Sequence, residues 1–127
     1  MKFEKIEIKN FRNFEDVKID LANKNVFFGL NDVGKTNFLY AFRYVFDKDI
    51  RKQNILDSDF HNKQLDKPIE IVVTIDISDT ADSDCEKLRA ILKGALLSQH
   101  RKVYIKLLAE YSETEMIALP ILSWGGD

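Results

Sequence analysis

Residues 29–36 read Gly29-Leu30-Asn31-Asp32-Val33-Gly34-Lys35-Thr36, and this octet constrains the chain more than anything else in it. It satisfies G-x-x-x-x-G-K-[ST], a loop built to hold phosphates. Its surroundings have the required order. Val26, Phe27 and Phe28 are consecutively apolar, as in a strand buried on both faces, and Gly29 ends that run. From Thr36 onward Phe38, Leu39, Phe42, Val45 and Phe46 recur at i, i+1, i+4, i+7 and i+8, which predicts an amphipathic helix with one aromatic face. In such a strand–loop–helix unit the backbone N–H groups of Gly29 and of Asn31, Asp32, Val33 and Gly34 wrap the β-phosphate, and the helix N-terminus adds its positive dipole end. Gly29 and Gly34 allow a close approach that a Cβ would forbid. Lys35 sets a compact cation against the β- and γ-phosphates, and the Thr36 hydroxyl completes the coordination of Mg²⁺, which takes few protein ligands. The octet therefore predicts binding of a nucleoside triphosphate, ATP with Mg²⁺. Asp32 puts a carboxylate beside those phosphates. A left-handed turn position, which Asp tolerates, would turn its side chain away.

The remainder reads as strands and one further helix. Residues 3–9 alternate, with Phe3, Lys5, Glu7 and Lys9 on one side and Ile6 and Ile8 on the other, so a half-exposed strand is expected. Asn10 to Phe14 breaks the pattern as a turn. Val17, Ile19 and Leu21 mark a second strand, and turn residues Ala22 to Asn25 lead into Val26–Phe28 as an antiparallel meander. Asp47 to Lys67 is polar and irregular. Ile69, Ile71, Val73, Ile75 and Ile77 form the clearest strand, with Glu70, Thr74 and Asp76 on its exposed face. Ser83 and Glu86 suggest a capping box for a helix whose stripe is Leu88, Ile91, Leu92, Ala95 and Leu96. Val103–Glu110 and Met116–Trp124 pair as a hairpin around Ser112–Glu115.

Several function classes are excluded. The 127 residues, 45% apolar and 31% charged, suit one small globular domain. No apolar run approaches the roughly 20 residues that cross a bilayer, so no membrane partner is expected. The charged, alternating N-terminus lacks a signal-peptide core, so a cytoplasmic location is expected. Cys85 is the single cysteine, which rules out an internal disulfide framework. The net charge is −2. The basic clusters Lys48, Arg51, Lys52 and Arg101, Lys102 are small and interleaved with other residues, so no DNA-binding stripe is visible.

Two amphipathic strands precede the P-loop strand, an arrangement of ABC-type ATPase heads rather than of simple nucleotide kinases. Ile8-Lys9-Asn10-Phe11-Arg12-Asn13-Phe14, with Gly29-x-Asn31-Asp32-x-Gly34-Lys35-Thr36-Asn37, resembles the start of RecF/SMC-like ATPases. Within that group the chain looks like the OLD family, whose members join an ATPase head to a C-terminal TOPRIM nuclease. Its 127 residues are similar to the N-terminal part of the nuclease subunit of Gabija-type anti-phage systems. The resemblance implies an α/β fold: the N-terminal part of an ABC-type P-loop ATPase head over residues 1–127, an antiparallel lobe around the P-loop strand and helix, with an incomplete RecA-like core. It implies that Arg12 and Asn13 lie against phosphate or base, although an ordinary exposed turn pair fits them as well. Asn37 matches an asparagine common after the P-loop in this group, or caps the helix start. Asp59 and His61 would fall in a metal- or water-sensing loop, if they are more than loop residues.

Other expected parts are missing. A Walker B strand ends in Asp and then Glu, a pair that serves Mg²⁺ and the attacking water. The nearest segment, Ile71 to Asp76, is followed by Ile77, and its polar residues mark a half-exposed strand of the antiparallel lobe. No signature loop and no TOPRIM cluster occur. The expectation is therefore a fragment or truncated chain with no catalytic residue of its own, which alone binds ATP weakly and neither hydrolyses it nor cleaves DNA. Its parent would be a homo-oligomeric, ATP-regulated endonuclease that meets DNA through C-terminal regions. Two alternatives stand beside it: the head of a RecF/SMC-like repair ATPase without nuclease, and a stand-alone nucleotide-binding module.

Overall fold

The computed structural model describes residues 2–22, 31–79, 81–91 and 100–127. The strand expected at Val26–Phe28, loop residues Gly29 and Leu30, and helix positions Leu92, Ala95 and Leu96 lie outside them.

Among the described residues five strands form one sheet: β1 (Lys2–Phe11), β2 (Phe14–Asp20), β3 (Ile69–Asp76), β4 (Lys102–Ser112) and β5 (Ile117–Gly126). Their order is β2-β1-β3-β4-β5 and every pairing is antiparallel. Alternation explains the layering, because successive side chains of a strand leave on opposite faces. Ile6 and Ile8 of β1, Ile69, Ile71, Val73 and Ile75 of β3, and Val103, Leu107 and Ala109 of β4 all lie on one buried face. Against it pack α1 (Asp32–Phe46), the short α2 (Lys48–Arg51) and α3 (Ser83–Ile91). The other face carries ion pairs between neighbouring strands, Lys18 with Glu7 and Lys106 with Glu70.

Five expectations are corrected. Phe3 lies on the same face as Ile6 and Ile8, not the opposite one. A β-bulge between Phe3 and Lys5 shifts the register from Lys5↔Thr74 to Phe3↔Ile75, and one extra residue flips every side chain beyond it. Phe3 then meets Phe42 and Phe46 of α1 edge-on, with ring centroids 5.2 and 5.5 Å away. Within α1 the buried residues are Gly34, Phe38, Ala41, Tyr44 and Val45, while Leu39 and Phe46 are exposed. Thr74 is buried rather than exposed, because β3 is the central strand. Ser83 is the first residue of α3 and no cap. Asp82 takes that role, its carboxylate accepting the Asp84 N–H at 2.8 Å, which Asp does as well as Ser.

The largest correction concerns Asp47–Lys67, which is ordered and packed rather than irregular. After α2 come 3-10 turns at Asp57–Asp59 and His61–Lys63. Ile50, Ile55 and Phe60 from this stretch are buried. Ile55 bridges to Ala118 of β5 and Phe60 to Phe11 of β1. The segment is thus a strap from the far edge strand back to the β1–β2 turn.

Candidate functional site

The P-loop residues that are described open α1. The helix starts at Asp32, earlier than Thr36, because Asn31 caps it: its Oδ1 accepts the Gly34 N–H at 2.6 Å. Lys35 N–H donates to Asn31 O at 2.9 Å as the first regular helical bond. Asp32 is therefore helical, not in a left-handed turn, and no positive φ is found there. A carboxylate in the first helical turn faces the positive end of the dipole, which favours it. Gly34 is buried, Lys35 is half-buried, and Val33 and Thr36 are exposed. Among the described residues neither the Lys35 ammonium nor the Thr36 hydroxyl has a hydrogen-bond or ion-pair partner. A short cation and a hydroxyl presented together at a helix start suit a phosphate and its Mg²⁺.

Beside that helix start stands a second set of residues, brought there by the two-residue turn Arg12-Asn13 between paired Phe11 and Phe14. Such tight turns need positive φ in their centre, and Arg12 adopts φ 52°. Its guanidinium donates from Nη1 to Asn37 Oδ1 at 3.0 Å and from Nε to Asp59 Oδ1 at 3.1 Å. It also lies over the Tyr40 ring, 4.5 Å from the centroid. Asn37 Nδ2 donates to Asn13 Oδ1 at 2.8 Å. Asn37 therefore does not cap α1. It stitches the helix, one residue beyond Thr36, to the turn.

The polar atoms of Asp59 and His61 are engaged within the protein, by Arg12 and by Leu56 and Asn62. Arg12 N–H donates to Asp59 O at 2.8 Å, and His61 Nδ1 lies 2.8 Å from Arg12 O. A carbonyl only accepts, so Nδ1 carries the proton. His61 Nε2 is then the acceptor for Asn62 Nδ2 at 3.3 Å. Among the described residues no group of three or more His, Cys, Asp or Glu is placed to hold a metal. Burial pushes the nearby Tyr44 phenol up, with the Asp59 carboxylate adding to the effect and Arg12 opposing it. Asp76, the acid nearest to a Walker B position, ends a strand with antiparallel neighbours on both sides, and its carboxylate accepts the Ser78 N–H at 2.8 Å.

Sequence reading thus named Arg12, Asn13, Asn37, Asp59 and His61 separately, and the fold gathers all five. It missed Tyr40, which reads as one more aromatic on α1. The only available signal was its i+3 spacing from Asn37.

A helix that opens within the octet and packs on an antiparallel sheet fits an ATPase domain, and the chain belongs to the AAA ATPase domain family, which it matches over residues 1–119. It is similar over its whole length, at 50% identity, to the endonuclease GajA of Bacillus cereus strain VD045, of which it spans 22%. It is 52% identical over 46 residues, 35% of this chain and 13% of the relative, to the DNA replication and repair protein RecF of Lactococcus lactis subsp. cremoris strain MG1363. It is 33% identical over 95 residues, 61% of this chain and 26% of the relative, to an ATP/GTP phosphatase of Helicobacter pylori strain ATCC 700392 / 26695. The resemblance to Gabija-type and RecF-like ATPase heads is borne out. The chain spans about a quarter or less of these relatives. No helix among the described residues is long and apolar enough to cross a membrane.

Proposed function

We propose that the chain is the nucleotide-binding part of an ATP-regulated DNA endonuclease of the OLD/Gabija kind, acting in anti-phage defence. It binds ATP with Mg²⁺ through Gly29, Asn31, Asp32, Val33, Gly34, Lys35 and Thr36. Arg12, Asn13 and Asn37 line the same site, and Thr36 contacts the metal. The observation that carries the reading is the helix opening within the octet, with Lys35 and Thr36 presented at its start. Whole-length similarity to an endonuclease favours the nuclease parent. The RecF similarity spans only 46 residues and favours a repair ATPase head as a second reading. Residues 1–127 are the N-terminal part of the ATPase domain on this reading, with a RecA-like core completed elsewhere. DNA contact and homo-oligomerisation belong to the full-length parent, and the cytoplasm is its compartment.

One consequence is local. The Gly34 N–H is already given to Asn31 Oδ1, so a phosphate that takes this amide displaces the asparagine side chain.

The test is a thermal-shift titration of the chain with ATP and Mg²⁺, repeated on Lys35→Ala. The wild type should be stabilised as ligand rises. The variant should lose at least about tenfold in affinity, since a hydrogen bond to a charged group is worth about 1.5–3 kcal/mol. Equal affinity in both proteins, or no stabilisation of the wild type at millimolar ATP, refutes the reading. Because no glutamate follows Asp76, phosphate release by the chain alone should stay at background.

A further inference from the structure

We propose that Asp59 is a positioning residue that holds the Arg12 guanidinium ready for a polyphosphate, with His61 locking the turn beneath it. The inference rests on the reading that nucleotide binds at the P-loop with Arg12 beside it, and goes beyond it by assigning the second layer.

The geometry of Arg12 is over-determined. Its backbone sits at φ 52°, a region that non-glycine residues populate sparsely. Both of its peptide groups are held by the strap: Arg12 N–H by Asp59 O, and Arg12 O by His61 Nδ1–H, each at 2.8 Å. The side chain is fixed by the same residue. Nε–H donates to Asp59 Oδ1 at 3.1 Å, and the two side chains are only 23% and 14% exposed. Asp59 Oδ2 in turn accepts the Leu56 N–H at 3.0 Å, so the carboxylate itself cannot swing. Asn37 and the Tyr40 face complete the seat.

The seat leaves the arginine usable. A guanidinium has five N–H donors, and the described residues take one from Nε and one from Nη1. The three that remain suffice for a two-point fork on a phosphate. An arginine already fixed by an ion pair, an amide and a ring loses little rotamer freedom when ligand arrives. Asp59 therefore strengthens nucleotide binding through Arg12 without touching nucleotide.

The sign and the coupling test this. Binding of a fluorescent ATP analogue with Mg²⁺ is measured on the 127-residue chain, on Arg12→Ala, on Asp59→Asn and on the double variant. Asparagine keeps an acceptor for Leu56 N–H while removing the charge. Arg12→Ala should weaken binding about tenfold or more. Asp59→Asn should weaken it about three- to tenfold in the wild-type background, and by less than about twofold once Arg12 is alanine, since the two act as one unit. Equal losses in both backgrounds, or tighter binding by Asp59→Asn, overturn the proposal. A second measurement needs no variant to fold. In the unmodified chain the Arg12 Nε–H should give an NMR signal protected from exchange, and it should shift on adding ATP and Mg²⁺. A signal that exchanges as fast as those of exposed arginines, or one unmoved by nucleotide, also overturns it. A wild type that fails to bind refutes the nucleotide reading and this proposal together. Wild-type binding lost in Lys35→Ala, with additive losses at Asp59 and Arg12, refutes this proposal alone.

Discussion

Asn31 Oδ1 caps the helix that opens in the octet by occupying the amide of Gly34, which on the proposed nucleotide reading is an amide a phosphate would claim. Removing such a cap costs about 1 kcal/mol of stability. Asn31→Ala should lower the unfolding free energy by about that amount in urea, and it should bind ATP no more weakly, since nothing remains to be displaced. Weaker binding would mean that the asparagine touches the nucleotide directly. Thr36→Ala is different in kind: if, as proposed, its hydroxyl serves the metal, it should weaken ATP binding severalfold with Mg²⁺ present and leave metal-free binding unchanged. An equal loss under both conditions would remove that role. Asp76 gives a pH effect. The hydrogen bonds from Ser78 hold its carboxyl below the usual carboxylate range, with smaller help from Lys102 and Lys2. A lowered folded value means stability that is present above the unfolded value and lost as pH falls through the folded one. Denaturation midpoints should therefore decline less steeply on acidification in Asp76→Asn than in the wild type. At this scale the octet could be proposed as a phosphate loop because its residue types themselves define the motif. The Arg12 seat was not legible, since a pattern of neighbours 25 and 47 positions away leaves no periodic trace.

Strands were easier to read than the segments between them, and the reason is spacing. Ile69 to Ile77 alternates with period two, so its core face was visible before the fold was known, and the polar residues at Ser112–Glu115 marked the β4–β5 hairpin. The bulge in β1 was invisible, because a single inserted residue changes the face of Phe3 without changing its composition. Helix α1 was readable as a helix but not in its rotation. Phe38 and Val45 lie in both the expected and the observed stripe, and aromatic or aliphatic residues flank that stripe on either side. Leu39 and Phe46 could as well have been the buried pair as Ala41 and Tyr44. The strap hides its packing best of all. Ile50, Ile55 and Phe60 are five residues apart, which matches neither a helix nor a strand, yet each is buried. Phe60 bridges to Phe11 and meets Tyr111 edge-on at 5.8 Å. Phe60→Ala should therefore cost about 3–5 kcal/mol of stability, as large aromatic truncations in a packed core do. A loss under about 1 kcal/mol in urea denaturation would show that the strap only covers the sheet end and does not hold it.

Among the described residues the strands form one antiparallel sheet whose strands are unequal, and that inequality should govern how the molecule opens. β3 has a paired neighbour on each side, β1 and β4, and Ile71, Val73 and Ile75 along it are at most 1% exposed. Breaking its hydrogen bonds means separating the sheet and uncovering its core, so its amides should exchange only through global unfolding. Among the described strands β5 lies at the edge, with β4 as its sheet neighbour. It carries apolar residues on both faces, and Leu119, Ile121 and Trp124 are 58, 67 and 47% exposed. The apolar surface that it would newly expose on detaching is correspondingly small, so local opening there should cost less than unfolding the whole. Hydrogen exchange followed at rising urea tests this. Amides at 71–75 should show the full denaturant slope of global unfolding, and those of β5 a shallower slope and faster exchange. The Ala118 amide should be the slowest within β5, because it donates to Ile55 O of the strap at 2.8 Å and its side chain is buried. Equal slopes in β3 and β5 would show that the strap and the β4–β5 pairing make the edge as costly to open as the centre. A fast Ala118 amide would show that the strap does not hold that edge, leaving its attachment at the β1–β2 turn, where it clamps Arg12, as its anchor.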